Sequence, residues 1–125
     1  MSKKKILIID EYGFSRVCSV LLDSIGYSTA LAGNTNSLKS DLTAGDVGLI
    51  VASYPYVIPF FAGIRNHNIP TLILSNHVDE DLIAVLSNID NSFCMIKPLD
   101  YSKFRSLVGQ LMSGDLPLSG GYNIV

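Results

Sequence analysis

The sequence predicts an α/β domain: a doubly wound, five-stranded parallel sheet with strand order 2-1-3-4-5. Three observations lead there. Short runs of branched apolar residues alternate five times with stretches of helical spacing. The runs Ile6–Ile9 and Leu49–Val51 lack the polar alternation of a strand with one wet face, so they read as strands buried on both faces. The segments between runs and helices are short, and parallel neighbours joined by right-handed crossovers satisfy that spacing.

Strand one is Ile6-Leu7-Ile8-Ile9, which stops at two adjacent carboxylates, Asp10 and Glu11. Phe14, Val17, Cys18, Leu21, Leu22 and Ile25 then fall at helical spacing over residues 13–25, and Gly26 supplies the left-handed stop. Residues 27–32 alternate weakly as a short strand. Asn34-Thr35-Asn36 offers capping side chains to a short polar helix holding Leu38 and Leu42. The segment 46–55 contains the central strand. Tyr54-Pro55-Tyr56-Val57-Ile58-Pro59-Phe60-Phe61 follows as an unusually apolar loop, with Pro59 suited to the first turn of a third helix reaching about Arg65.

Residues 70–74 form a fourth strand ending at Ser75-Asn76, and Asp79, Glu80 and Asp81 place negative charge at the start of a helix continuing to about Leu86. Residues 93–96 form a fifth strand, halted by Lys97-Pro98. Phe104, Leu107, Val108 and Leu111 mark a last helix over 101–112. Residues 1–113 form one domain. Residues 114–125, with Pro117 and Gly120-Gly121, are either a linker or a tail that docks back through Leu116, Leu118, Tyr122 and Ile124.

Composition narrows the function classes. A 125-residue chain with 48% hydrophobic content has the size of one domain. The net charge of −2 and a single basic run, Lys3-Lys4-Lys5, at the chain start give nucleic-acid binding little support. Cys18 and Cys94 lie in apolar patterns with no spaced metal-ligand partner, which suits core packing in a reducing compartment. The N-terminal apolar run is too short for a signal peptide or a membrane span, so a cytoplasmic protein without a membrane anchor is expected.

In the expected topology, the strand ends carrying Asp10, Glu11, Ser75 and Lys97-Pro98 converge on one edge of the sheet. That set resembles the receiver domain of bacterial two-component response regulators, of flavodoxin-like fold, over about residues 3–113. The resemblance implies that Asp10 and Glu11 match a magnesium-binding acidic pair, Ser75 a hydroxyl that bonds the phosphate, and Lys97 the lysine that pairs with it. Counted from the proline four residues beyond the family's acceptor aspartate, the acceptor position falls on Val51. Valine has neither nucleophile nor metal ligand, and phosphoryl transfer to a carboxylate needs both. The aromatic switch position, three before the lysine, falls on Cys94, with Phe93 one residue earlier and therefore on the other face of its strand.

These departures describe a degenerate receiver, a pseudo-receiver: a non-enzymatic signalling module that works by protein–protein contact without aspartyl phosphorylation. Mg²⁺ binding by Asp10 and Glu11 alone is expected to be weak, with no other cofactor, and Lys97 is expected to pair with one of the two carboxylates. Partner contact is expected through the face of helix four, strand five and helix five, or through the apolar loop, whose Tyr54, Tyr56, Phe60 and Phe61 either fill core space or form an interface. A homodimer stays open. The bland readings are a structural salt-bridge cluster for Asp10, Glu11 and Lys97, a helix-capping hydroxyl for Ser75, a turn residue for Ser53 and an exposed loop residue for His77, whose nearest histidine in sequence, His67, lies in another loop. The competing functions are a phosphorylated receiver with an atypical acceptor, for which Ser53 is the nearest hydroxyl, and a small-ligand-binding doubly wound domain. For the latter only the lone Gly13 stands where a glycine-rich phosphate loop belongs.

Overall fold

The computed structural model describes residues 4–65, 67–114 and 121–125. Five strands, β1 (Lys5–Ile9), β2 (Thr29–Leu31), β3 (Val47–Ser53), β4 (Thr71–Ser75) and β5 (Ser92–Ile96), pair in parallel in the order β2-β1-β3-β4-β5, as the sequence predicts. A sixth, β6 (Tyr122–Ile124), adds in parallel to the outer edge of β5, with Ser92 opposite Tyr122 and Cys94 opposite Ile124. Its flanks are tied by Ser92 N–H to the Gly121 carbonyl at 3.2 Å and Val125 N–H to the Cys94 carbonyl at 2.8 Å. The last residues of the tail are thus part of the sheet. Leu116 and Leu118, like Lys3 of the basic run, lie outside the described residues.

Side chains alternate across each strand, and the alternation builds two cores. On one face, Ile6, Ile8, Leu49, Val51, Leu72, Leu74, Phe93 and Met95 pack against Cys18 and Leu22 of α1 (Tyr12–Ser24) and Phe104, Leu107, Val108 and Leu111 of α5 (Tyr101–Ser113). On the other, Leu7, Ile9, Ile50, Ala52, Ile73 and Cys94 meet Leu38 and Leu42 of α2 (Thr35–Ala44), Ile64 of α3 (Phe61–Ile64) and Leu82 and Leu86 of α4 (Glu80–Ser87). Helices cover both faces of β1, β3 and β4, which explains the unbroken apolar runs of those strands. Phe104 is fully buried, and truncating such a residue to alanine typically costs about 3–5 kcal/mol.

The helix ends follow their local chemistry. The Asn34 side chain accepts from Ser37 N–H at the start of α2 while Ser37 Oγ accepts from Asn34 N–H, a reciprocal capping box. Asp79 accepts from Leu82 N–H and Asp100 from Lys103 N–H to start α4 and α5. Gly114 ends α5 at φ +78°, a left-handed conformation that glycine adopts without a Cβ penalty. One helical expectation needs correction. Val17 and Ile25 do not belong to the buried face of α1: they are 51% and 38% exposed, because the helix turns only Cys18, Leu22 and flanking Phe14 and Leu21 to the sheet. The third helix is a 3-10 turn at Ile58–Phe60 running into the single turn of α3.

Candidate functional site

The carboxyl ends of β1, β3 and β5 meet in one corner, and a serine joins them. Ser53, the last residue of β3, donates from Oγ to Asp10 Oδ2 and accepts from Lys97 Nζ at 3.2 Å. The register explains the meeting: Ile9 lies opposite Ala52, so Asp10 and Ser53, one step on, emerge side by side. Lys97 follows β5, and its ammonium also lies 4.2 Å from the centroid of the Phe14 ring on α1, a distance at which the ring face attracts a cation. Ser53 is buried, whereas Asp10 and Lys97 are half-buried. Asp10 Oδ1 accepts from Glu11 N–H at 2.7 Å, so both carboxylate oxygens are engaged.

The residue that β3 brings to this corner is therefore not Val51. Val51 lies two residues before the end of the strand, opposite Ile8 of β1 and Leu72 of β4, and is fully buried in the core beneath α1 and α5. Counting back from Pro55 fails because the chain leaves the strand only two residues before that proline. A second expectation also changes. Among the described residues, ion pairs form at Lys5–Asp41 and Lys5–Asp46, the His77 ring meets the Asp79 carboxylate, and Lys97 has no direct pair with Asp10 or Glu11. It reaches Asp10 through the Ser53 hydroxyl.

Ser75 ends β4, fully buried. Its Oγ donates to the His77 carbonyl at 2.7 Å, and its own carbonyl accepts from Lys97 N–H at 2.7 Å. It closes the turn after the strand and does not cap α4, a task that falls to Asp79. His77 Nε2 lies 2.8 Å from Asp79 Oδ2 on the surface. The Leu82 N–H, with His77 beside it, holds the Asp79 carboxyl below the usual carboxylate range. Phe93 and Cys94 occupy opposite core faces, and both are buried.

Cys18 sits on the core side of α1, and burial, reinforced by the negative charge of Asp10 and eased by the positive charge of Lys97, pushes its thiol up to about 12. Burial raises Cys94 as well. Neither thiol is a nucleophile at neutral pH, because the thiolate is the reactive form.

The magnesium that the acidic pair suggests finds a poor donor set. Mg²⁺ asks for near-octahedral oxygen ligation, but Asp10 is already engaged through both oxygens, and β3 contributes a hydroxyl where a further carboxylate would serve. Among the described residues no three His, Cys, Asp or Glu side chains gather as metal ligands. The corner does not fit a resident Mg²⁺ ion; it is a hydrogen-bonded link between an anion and a cation.

The apolar loop divides between core and surface. Val57 and Phe60 are buried, Tyr54 and Phe61 are half-buried against the α2–α4 core, and Tyr56 and Ile58 remain 39% and 50% exposed. Phe60 is thus a core residue and not an exposed anchor. Burial, with Asp79 and Asp81 nearby, raises the Tyr54 phenol above its ordinary value. The Tyr56 and Phe60 rings stack at 5.9 Å between centroids. They line a groove of about 690 Å³ with Pro55, Pro59, Glu11 and the Gly33–Thr35 turn. Sequence reasoning gave Phe14 and the Gly33–Thr35 turn no part in a site. Phe14 carries the same helical spacing as any core position, and a groove wall built from distant segments leaves no local signal.

No family model matches the chain, and no curated protein matches it. Solved structures do. A two-component response regulator from Clostridium difficile superposes with a TM-score of 0.76 at 20% identity, over 92% of this chain and all of that one (100%). A response regulator from Thermotoga maritima gives 0.70 at 18% identity over 90% and 99% of the two chains. The receiver domain of a sensor histidine kinase from Pseudomonas aeruginosa, whose structure holds a magnesium ion in its active-site cleft, gives 0.71 at 15% identity over 90% and 99%. The order β2-β1-β3-β4-β5, the helices on both faces and these superpositions together establish that this chain has the flavodoxin-like fold of response regulator receiver domains, with one short strand added at its edge.

Proposed function

We propose that this chain is a receiver-type signal-transduction module that acts by contact with a protein partner, has no enzymatic activity of its own and is not switched by aspartyl phosphorylation. The observation that supports this reading is Ser53: at the strand end next to Asp10 and Lys97, β3 supplies a hydroxyl already bonded to both. An acyl phosphate needs a carboxylate oxygen to attack phosphorus and a metal ion to neutralise the transferred charge. The donor set provides neither. Lys97 is engaged by the Ser53 hydroxyl and the Phe14 ring, so the corner has the bonding of a fixed structural link.

Two surfaces are open to a partner. One is the edge of the sheet beside α4 and α5, where β6 covers β5 and supplies the outermost strand. The other is the Tyr56–Ile58 surface of the apolar loop, with its exposed ring and side chain.

A second reading has one observation in its favour. Ser53 Oγ donates to a carboxylate, the arrangement in which Asp10 takes the proton of an attacking hydroxyl. Against it stand the burial of Ser53 and the two adjacent carboxylates, Asp10 and Glu11, whose charge repels an incoming phosphate.

Incubation with acetyl phosphate and Mg²⁺ followed by intact-mass measurement tests the proposal. The expected result is an unmodified chain. A phosphorylated species cleaved by hydroxylamine would overturn the proposal, and one that resists hydroxylamine and maps to Ser53 would establish the second reading.

A further inference from the structure

We propose that the groove between the start of α2 and the Tyr56–Phe60 pair binds an arginine side chain presented by a partner protein. This inference rests on the reading of the chain as a protein-contact module and names the chemistry of one contact. Pro55, Pro59 and the stacked Tyr56 and Phe60 rings form apolar walls, and Glu11 brings the only charge among the lining residues. Glu11 is exposed and forms no ion pair among the described residues. An aromatic wall beside an unneutralised carboxylate is complementary to a planar cation, which stacks on a ring and directs its N–H fork at the carboxylate. A lysine ammonium, compact and strongly hydrated, uses the carboxylate but gains less from the ring.

The same groove does not suit an anion. At the start of α2 the capping box already commits Asn34 N–H to Ser37 Oγ and Ser37 N–H to the Asn34 side chain, and the Glu11 charge faces any anion that enters. A polypeptide suits the surroundings better than a free small cation does. Ile58, one residue before the Pro59 wall, is 50% exposed, and Tyr56 is 39% exposed, so apolar contact area continues past the charged end. Flanking residues of a peptide can cover that area and an isolated guanidinium cannot.

The test is a titration of the full chain, followed by NMR shifts, with three capped pentapeptides, Gly-Leu-X-Leu-Gly, in which X is arginine, citrulline or lysine. Saturable shifts at Glu11, Tyr56 and Thr35 are expected with the arginine peptide. Binding should weaken about tenfold or more with citrulline, which keeps the shape and loses the charge, and by a smaller factor with lysine. Glu11→Gln should reproduce the citrulline loss, and Tyr56→Ala should remove the preference for arginine over lysine, with a cooperative thermal transition well above the titration temperature as the folding control. Equal binding of the arginine and citrulline peptides, an unaffected Glu11→Gln variant or no saturable shift would overturn the inference. Agmatine binding as tightly as the arginine peptide would assign the groove to a small cation instead. None of these outcomes depends on a phosphodonor, so the inference can fail while the proposal about phosphorylation stands, and the reverse.

Discussion

Lys97 Nζ lies 3.2 Å from Ser53 Oγ, and the Ser53 proton goes to Asp10 Oδ2, so one hydroxyl carries the connection between a cation and an anion that form no direct pair. Ser53→Ala should therefore cost more than a surface serine. It removes two charge-assisted bonds and leaves the partners half-buried, and a loss of about 1–3 kcal/mol in unfolding free energy is expected from urea titration. A loss near zero would mean that water replaces the hydroxyl at no cost.

Val51→Asp should fail as a repair of the acceptor site. Val51 is fully buried among Ile6, Ile8, Leu49 and Leu72, and an unpaired carboxylate there costs several kcal/mol, on the order of 3 or more. Denaturant melts should show a severely destabilised chain with no gain in Mg²⁺ affinity.

The loop offers a paired contrast. Phe60 is 5% exposed and Tyr56 39%, so Phe60→Ala should lose about 3–5 kcal/mol and Tyr56→Ala about 1 kcal/mol or less. Equal losses would show that the stacked pair is buried as a unit.

Alkaline pH should loosen the fold. The Cys18 thiol is raised to about 12 from an ordinary 9.0, chiefly by burial, and Cys94 is raised too. Between those two values the unfolded chain releases the Cys18 proton and the folded chain keeps it, so stability is fully present below about pH 9 and falls as pH rises toward 12. Cys18→Ala should flatten that slope in urea melts taken at several pH values, and native Cys18 should resist alkylation at pH 8 until the chain unfolds.

How far the sequence reads through to this architecture depends on the scale of the feature. The strands centred on Ile6–Ile9, Leu49–Val51, Leu72–Leu74 and Phe93–Ile96 follow from continuous apolar runs separated by helical spacing, a signal that each segment carries by itself, whereas the order 2-1-3-4-5 is one of the doubly wound arrangements that such a pattern allows. Asp10 and Lys97 were legible for the same reason, as charges that halt apolar runs. The strand-three member was not. Its identity depends on register against β1, a relation between segments, and an offset of two residues keeps a side chain on the same face, so the alternation gives no warning when Val51 is taken for Ser53. β6 was hidden because three residues next to Gly120-Gly121 carry too little pattern to mark a strand. The surface position of Val17 was hidden because an amphipathic stripe fixes a helix's direction of burial more firmly than its edges.

The position of Ser53 is tested most directly by the Mg²⁺ affinity of Ser53→Asp against that of the natural chain, measured by calorimetric titration. Beside Asp10 and Glu11 the substitution supplies a third carboxylate at the carboxyl end of β3, and affinity should rise about tenfold or more. Unchanged affinity in a folded Ser53→Asp chain, or a gain found with Val51→Asp instead, would contradict the placement of Ser53 between Asp10 and Lys97.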